Sequence, residues 1–165
     1  MQSFGAEEAV ITRPDITEAH DNELRAQVLG AYRGYRQDRD MFDGVPSDLT
    51  WYEAEMTRQE IGDLRYVDYS YWNELTDHTH LVRDGVRNIQ QGRIVFDVPN
   101  DRFWAVTERI LHGEHDFESI ILWGRDCDSP LEILEGHLRA TAFGLAGDKA
   151  PAAISVLVGL IHTSK

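Results

Sequence analysis

Apolar residues in this chain recur with two different spacings, and the change between them predicts where strands and helices lie. Alternation with a period of two, or a short apolar run, is typical of strands, which we place at 51–56, 119–124, 131–134 and 154–158. Recurrence every three or four residues is typical of helices, which we place at 79–91, at 99–111 and from Gly136 or His137 onward. The pattern therefore predicts a mixed α+β domain.

Three shorter segments are interpreted from their local chemistry. Thr57 and Glu60 have the spacing of a capping box, in which each side chain bonds the other residue's backbone and opens a helix. The aromatic segment 66–72 is β-prone and is interpreted as a strand or an extended loop. Segment 94–98 predicts a short strand.

The N-terminal part of the chain is set apart by its pattern. Residues 1–14 are expected to form a loose tail, and 17–39 to form a helix whose apolar positions Leu24, Val28, Ala31 and Tyr35 share one face. We therefore divide the chain into an acidic tail and helix, 1–48, and a domain, 49–165. The helix is expected to pack on the domain; the alternative is an arm that binds a partner.

The junction at Gly136 carries the strongest chemical signal. A strand pattern runs through this single glycine directly into a helix pattern. A glycine there exposes the backbone N–H groups of the first helical turn, which together with the helix dipole bind anions, above all phosphate. His137 and Arg139 add donors in the same turn, and Thr141 follows. The sequence therefore predicts phosphate binding by Gly136, His137, Arg139 and Thr141.

The motif Glu135-Gly136-His137-Leu138-Arg139 resembles the ParB/sulfiredoxin-like superfamily, whose members carry a strand, a glycine, polar residues and an arginine at a helix start. It is most similar to the Asp-Gly-His-x-Arg motif of the free-serine kinases, with glutamate in place of aspartate. The reactive cysteine of sulfiredoxins and the Gly-Glu-Arg-Arg of ParB proteins are not present here. The resemblance extends over about 51–159 and implies a small mixed sheet flanked by helices.

The resemblance also implies an activity and a set of site residues. It implies that the protein binds nucleotide phosphates. The enzyme would be either a small-molecule phosphotransferase that acts on an amino-acid-like hydroxyl or a nucleotide hydrolase. Glu135 would help to hold Mg²⁺ brought by ATP or ADP, and Glu53 or Glu55 would act as the base. A period of two puts Glu53 and Glu55 on one strand face. The alternatives are a non-catalytic nucleotide-sensing or protein-interaction domain and a ParB-like nuclease.

Charge argues against nucleic acid as a partner. The 165-residue chain has a formal net charge of −13, and its densest basic cluster, Arg33, Arg36 and Arg39, is interrupted by Asp38 and Asp40. A polyanion would be repelled unless a basic patch overrode this field. We therefore expect no appreciable binding of duplex DNA.

The remaining composition suggests a cytoplasmic protein. The one cysteine, Cys127, cannot form an internal disulfide, and we find neither a signal sequence nor an apolar run long enough for a membrane span. The pairs His78 with His80 and His112 with His115 do not supply a recognisable zinc-ligand set. A homo-oligomer is possible on the sequence alone.

Overall fold

The computed structural model describes residues 45–46, 49–114, 119–126 and 128–161. The predicted tail at 1–14, the predicted helix at 17–39 and Cys127 lie outside the described residues. The division of the chain at residue 48 therefore stays a prediction.

A four-stranded mixed sheet forms the centre of the described domain. Its strands, in chain order, are β1 (Leu49–Thr57), β2 (Ile120–Gly124), β3 (Glu132–Glu135) and β4 (Ala153–Ile161). Their order across the sheet is β1-β4-β2-β3; β4 is antiparallel to β1 and parallel to β2, and β2 is antiparallel to β3. The strands predicted at 51–56, 119–124, 131–134 and 154–158 are all present, and the α+β class is confirmed.

Within the described residues, five helices connect these strands. They are α1 (Arg58–Gly62), α2 (Ser70–Leu75), α3 (Val82–Gln90), α4 (Asp101–Leu111) and α5 (His137–Ala146), and a short 3-10 turn, Gly147–Lys149, follows α5. The capping box is confirmed, because the Thr57 side chain accepts a hydrogen bond from the Glu60 backbone and the Glu60 side chain accepts one from the Thr57 backbone. None of the helices in the described ranges is both long and apolar enough to cross a bilayer.

Two predicted segments differ from the structure. The aromatic segment starts in an extended conformation, but α2 begins within it at Ser70. Segment 94–98 is a tight turn instead of a strand: the Val98 N–H donates to the Val95 carbonyl at 3.0 Å, and Phe96 and Asp97 both have positive φ. Val95 and Val98 form a β-bridge with each other across this turn, so the apolar residues here do not specify an extended strand.

The sheet has two faces with different neighbours. On the inner face, alternate strand residues such as Ala54, Leu122 and Val156 form one buried cluster with the helix residues Ile61 and Phe143. The outer face is formed by the intervening residues of β1, β2 and β4, which are Leu49, Trp51, Glu53, Glu55, Ile121, Trp123, Ser155, Leu157, Gly159 and Ile161.

Helix α5 packs between the inner face and the other helices, and much of it is buried. A Cβ at Gly144 would lie 2.6 Å from Cγ2 of Val86, so a glycine is needed for α3 and α5 to approach this closely. Because α5 is held in this way, the position of its first turn is fixed relative to the sheet.

Candidate functional site

The strand-to-helix junction lies where the sequence predicts it. Strand β3 ends at Glu135, Gly136 adopts φ 100° and ψ 23°, and α5 begins at His137. A Cβ at Gly136 would lie 3.0 Å from Cγ1 and 3.1 Å from Cα of Ile120. Glycine is therefore required both by the left-handed backbone and by the close approach to β2. It also leaves the first turn without a side-chain cap.

Arg139 borders a cavity of about 300 Å³ beside this first turn. The cavity lies between the end of α4, one face of α5 and the starts of β2 and β4, and Ile120 and Phe143 contribute apolar walls. Ser119, Ser155 and Glu114 are its other polar lining residues. Arg139 is only 9% exposed, so its guanidinium is held in a largely desolvated position. Such a position strengthens its attraction for an anion.

Arg139 forms an ion pair with Glu135. Nη2 of Arg139 donates to Oε1 of Glu135 at 3.5 Å, and both side chains are about nine-tenths buried. This distance is at the long end for a charge-assisted hydrogen bond. Because a guanidinium has five N–H donors in a planar fork, it can bind a carboxylate on one edge and a phosphate on another.

His137 and Thr141 lie on the opposite side of α5 from the cavity. The His137 ring stacks on Trp72, with 5.4 Å between ring centroids. Thr141 is fully buried and donates to the His137 carbonyl at 2.7 Å; Oη of Tyr66 lies 2.6 Å from Oγ1 of Thr141. Since the single Thr141 proton is used on His137, Tyr66 is the donor in that second bond.

The four predicted phosphate ligands are therefore divided between two environments. Arg139 lines the cavity and Gly136 lies against the lining residue Ile120, whereas the His137 ring and the Thr141 hydroxyl belong to an aromatic cluster. Residues two apart on a helix do not share a face, so His137 and Arg139 diverge. Neither His137 nor Thr141 is among the residues that line the cavity.

Because Tyr66 is buried, its contribution to the stability of the fold should depend on pH. Burial raises the pKa of Tyr66 well above the usual value. Above about pH 10 the unfolded chain ionises this tyrosine while the folded chain keeps it neutral. The stability due to Tyr66 is therefore present below pH 10 and lost as the pH rises.

We expect Tyr66→Phe to flatten the alkaline loss of stability, measured as the urea unfolding free energy between about pH 8 and 11. Tyr69→Phe, at a tyrosine that is 46% exposed, is the matched control and should follow the wild type. Identical pH profiles for the wild type and Tyr66→Phe would show that Tyr66 is not the group responsible.

Glu53 and Glu55 are not brought to the start of α5. Both are exposed on the outer face of β1, whereas Ala54 and Met56 face the helices. The prediction that the two glutamates share one face is confirmed. Glu53 approaches the cavity only through Ser155, whose Oγ donates to Oε1 of Glu53 at 3.2 Å. In this arrangement neither glutamate faces Arg139.

The described residues do not form a metal site of their own. No group of three or more histidine, cysteine, aspartate or glutamate side chains gathers within the described ranges. Glu135, the predicted Mg²⁺ residue, is directed to Arg139. Mg²⁺ commonly binds through substrate phosphates and only one or two carboxylates.

Among the residues that line the cavity, the sequence identified only Arg139 as a site residue. Phe143 lies four residues after Arg139 on the same helical face, so the helical period could have identified it. Ser119 and Ser155 precede or begin the parallel neighbours β2 and β4, and their proximity follows only once that pairing is known.

Comparison of the chain with protein-family models, with curated proteins and with solved structures found no match. The geometry of this site and the motif are therefore the observations that bear on function.

Proposed function

We propose that this protein binds the phosphate groups of a nucleotide at the start of α5. The observation that carries the proposal is a buried arginine, Arg139, that borders a cavity of about 300 Å³ beside a helix entered through a left-handed glycine. The backbone N–H groups of the first turn and the guanidinium would bind the same phosphate oxygens. Apolar walls from Ile120 and Phe143 would exclude water from that contact.

The positions of the carboxylates favour binding without catalysis as the simpler form of this proposal. A small-molecule phosphotransferase or hydrolase needs a base beside the acceptor, yet Glu53 and Glu55 lie on the outer face of the sheet. Glu135 pairs with the guanidinium and would be the residue through which Mg²⁺–ATP or Mg²⁺–ADP chemistry acts. A nucleotide sensor needs only the phosphate site.

Substitution of Arg139 should reduce nucleotide affinity strongly. A charge-assisted hydrogen bond contributes about 1.5–3 kcal/mol, so Arg139→Ala should weaken binding by about tenfold or more. Lys149→Ala is the matched control, because Lys149 is exposed and lies past the end of α5. The measurement is calorimetric titration with ATP, ADP and CTP, with and without Mg²⁺.

Three outcomes of that titration decide the proposal. Unchanged binding by Arg139→Ala, or no binding of any nucleotide by the wild type, would overturn it. Since Arg139 is buried, circular dichroism must confirm that the variant folds, and Arg139→Lys serves as a second variant that keeps the charge but not the planar fork. Binding without phosphate transfer or release would retain the sensor and exclude the kinase and hydrolase.

A parallel titration with duplex DNA should show no binding.

A further inference from the structure

The outer face of the sheet is apolar over most of its length. Across the strands, Trp51, Gly159 and Trp123 occupy one row. A Cβ at Gly159 would lie 2.9 Å from Cδ1 of Leu49 and 3.0 Å from the Trp51 ring, so both side chains lie across the glycine. In the next row, Leu157 and Ile121 continue the apolar surface. A sheet face of this composition is normally covered.

Two outer-face residues are already buried within a single chain. Leu49 is 7% exposed and Ile121 is 6% exposed. Neither belongs to either of the hydrophobic clusters found among the described residues, which include the inner face and the helices. The indole N–H of Trp51 is also buried and has no hydrogen-bond partner. The burial of these side chains is therefore reached within one chain, without a second copy.

We propose that the outer face is the docking surface for the segment 17–39 of the same chain. This segment is the one outside the described residues with an amphipathic helical pattern, carried by Leu24, Val28, Ala31 and Tyr35. A helix over 17–39 would be about 34 Å long, close to the roughly 30 Å of the nine-residue strand β4. Residues 40–48 can span up to about 30 Å, which reaches any point on the face from Leu49.

Charge gives this docking a direction. The exposed Glu53 and Glu55 make one end of the outer face acidic. The basic cluster Arg33, Arg36 and Arg39 lies at the C-terminal end of segment 17–39, whereas Glu18, Asp21 and Glu23 lie toward its start. Opposite charges attract most strongly when the arginine-rich end lies over Glu53 and Glu55. Docking of the segment on the outer face does not depend on nucleotide binding.

Disulfide trapping in the full chain tests the contact. In a chain with Cys127 replaced by serine, Leu157→Cys is paired with a cysteine on the apolar side of the segment, at Leu24, Val28, Ala31 or Tyr35. We expect mild oxidation to give an intramolecular disulfide for at least one of these pairs. Matched cysteines on the opposite side, Ala26→Cys and Gln37→Cys, should not cross-link. Mass spectrometry of the digested protein identifies the bond.

Each other outcome of the cross-linking experiment contradicts docking of segment 17–39. Equal cross-linking from both sides of the segment, or none from either side, would overturn the proposal. An intermolecular disulfide formed by Leu157→Cys alone would also overturn it, in favour of a second copy of the chain on this face.

Thiol labelling provides a second test with different variants. Ile121→Cys should react slowly, and Val28→Asp should speed that reaction by about tenfold or more, because labelling follows the population in which the face is uncovered. Ala26→Asp, on the opposite side of the segment and away from its arginine-rich end, should leave the rate near that of the parent. No acceleration by Val28→Asp in a folded protein would contradict docking.

Discussion

Replacing Phe103 with alanine is expected to lower the free energy of unfolding by about 3–5 kcal/mol, the usual range for loss of a buried aromatic ring. Phe103 lies in α4 and is 1% exposed. It packs in the second hydrophobic cluster with Leu75, Ile89 and Leu145, and its ring meets Trp72 edge-on at 6.1 Å between centroids. One ring thus joins α4 to α2, α3 and α5, and alanine would leave a cavity between them.

The neighbouring Trp104→Ala is the matched control on the same helix. Trp104 is 40% exposed, so its removal should cost well under half as much despite the larger ring. Chemical denaturation with coincident fluorescence and circular dichroism transitions measures both values. A smaller loss for Phe103→Ala than for Trp104→Ala would show that the second cluster is not a major source of stability.

Replacing Gly136 with alanine should have the next largest effect. A left-handed backbone costs a non-glycine residue about 1–2 kcal/mol, and the new Cβ would lie 3.0–3.1 Å from Ile120. Crowding of this kind adds about 1–3 kcal/mol, so the total should be roughly 2–5 kcal/mol. The measurement is the urea unfolding free energy.

Gly92→Ala separates these two contributions. Gly92 has φ 83°, but a Cβ there would meet no atom within 4 Å, so its substitution reports the backbone cost alone. If both variants lose the same stability, the close approach between Gly136 and Ile120 contributes nothing. If Gly136→Ala folds, its nucleotide affinity should also fall, since the first turn of α5 must move away from β2.

Part of the site could be predicted from sequence because its determinants are local. The change of period across Gly136 depends on a few consecutive residues, and the structure has the strand, the glycine and the helix where expected. The capping box at Thr57 and Glu60 is local in the same sense. Such features need no knowledge of what packs against them.

The rest of the site depends on residues far apart in the chain. His137 and Arg139 are two residues apart in one motif, but the His137 ring stacks on Trp72, whereas Arg139 lines the cavity. The face of Glu53 relative to α5 depends on which side of the sheet the helices cover. The period of two predicts that Glu53 and Glu55 lie on the same face of β1, but it does not predict which elements that face contacts.

The position of β4 in the sheet has a consequence for how the domain assembles. β4 follows the other three strands along the chain, yet it lies between β1 and β2 and joins them. During synthesis β1 therefore has no described partner strand until β4 has left the ribosome, about a hundred residues later. Until then its edge is open to pairing with other chains, so chaperone protection of the nascent chain should matter most in that interval.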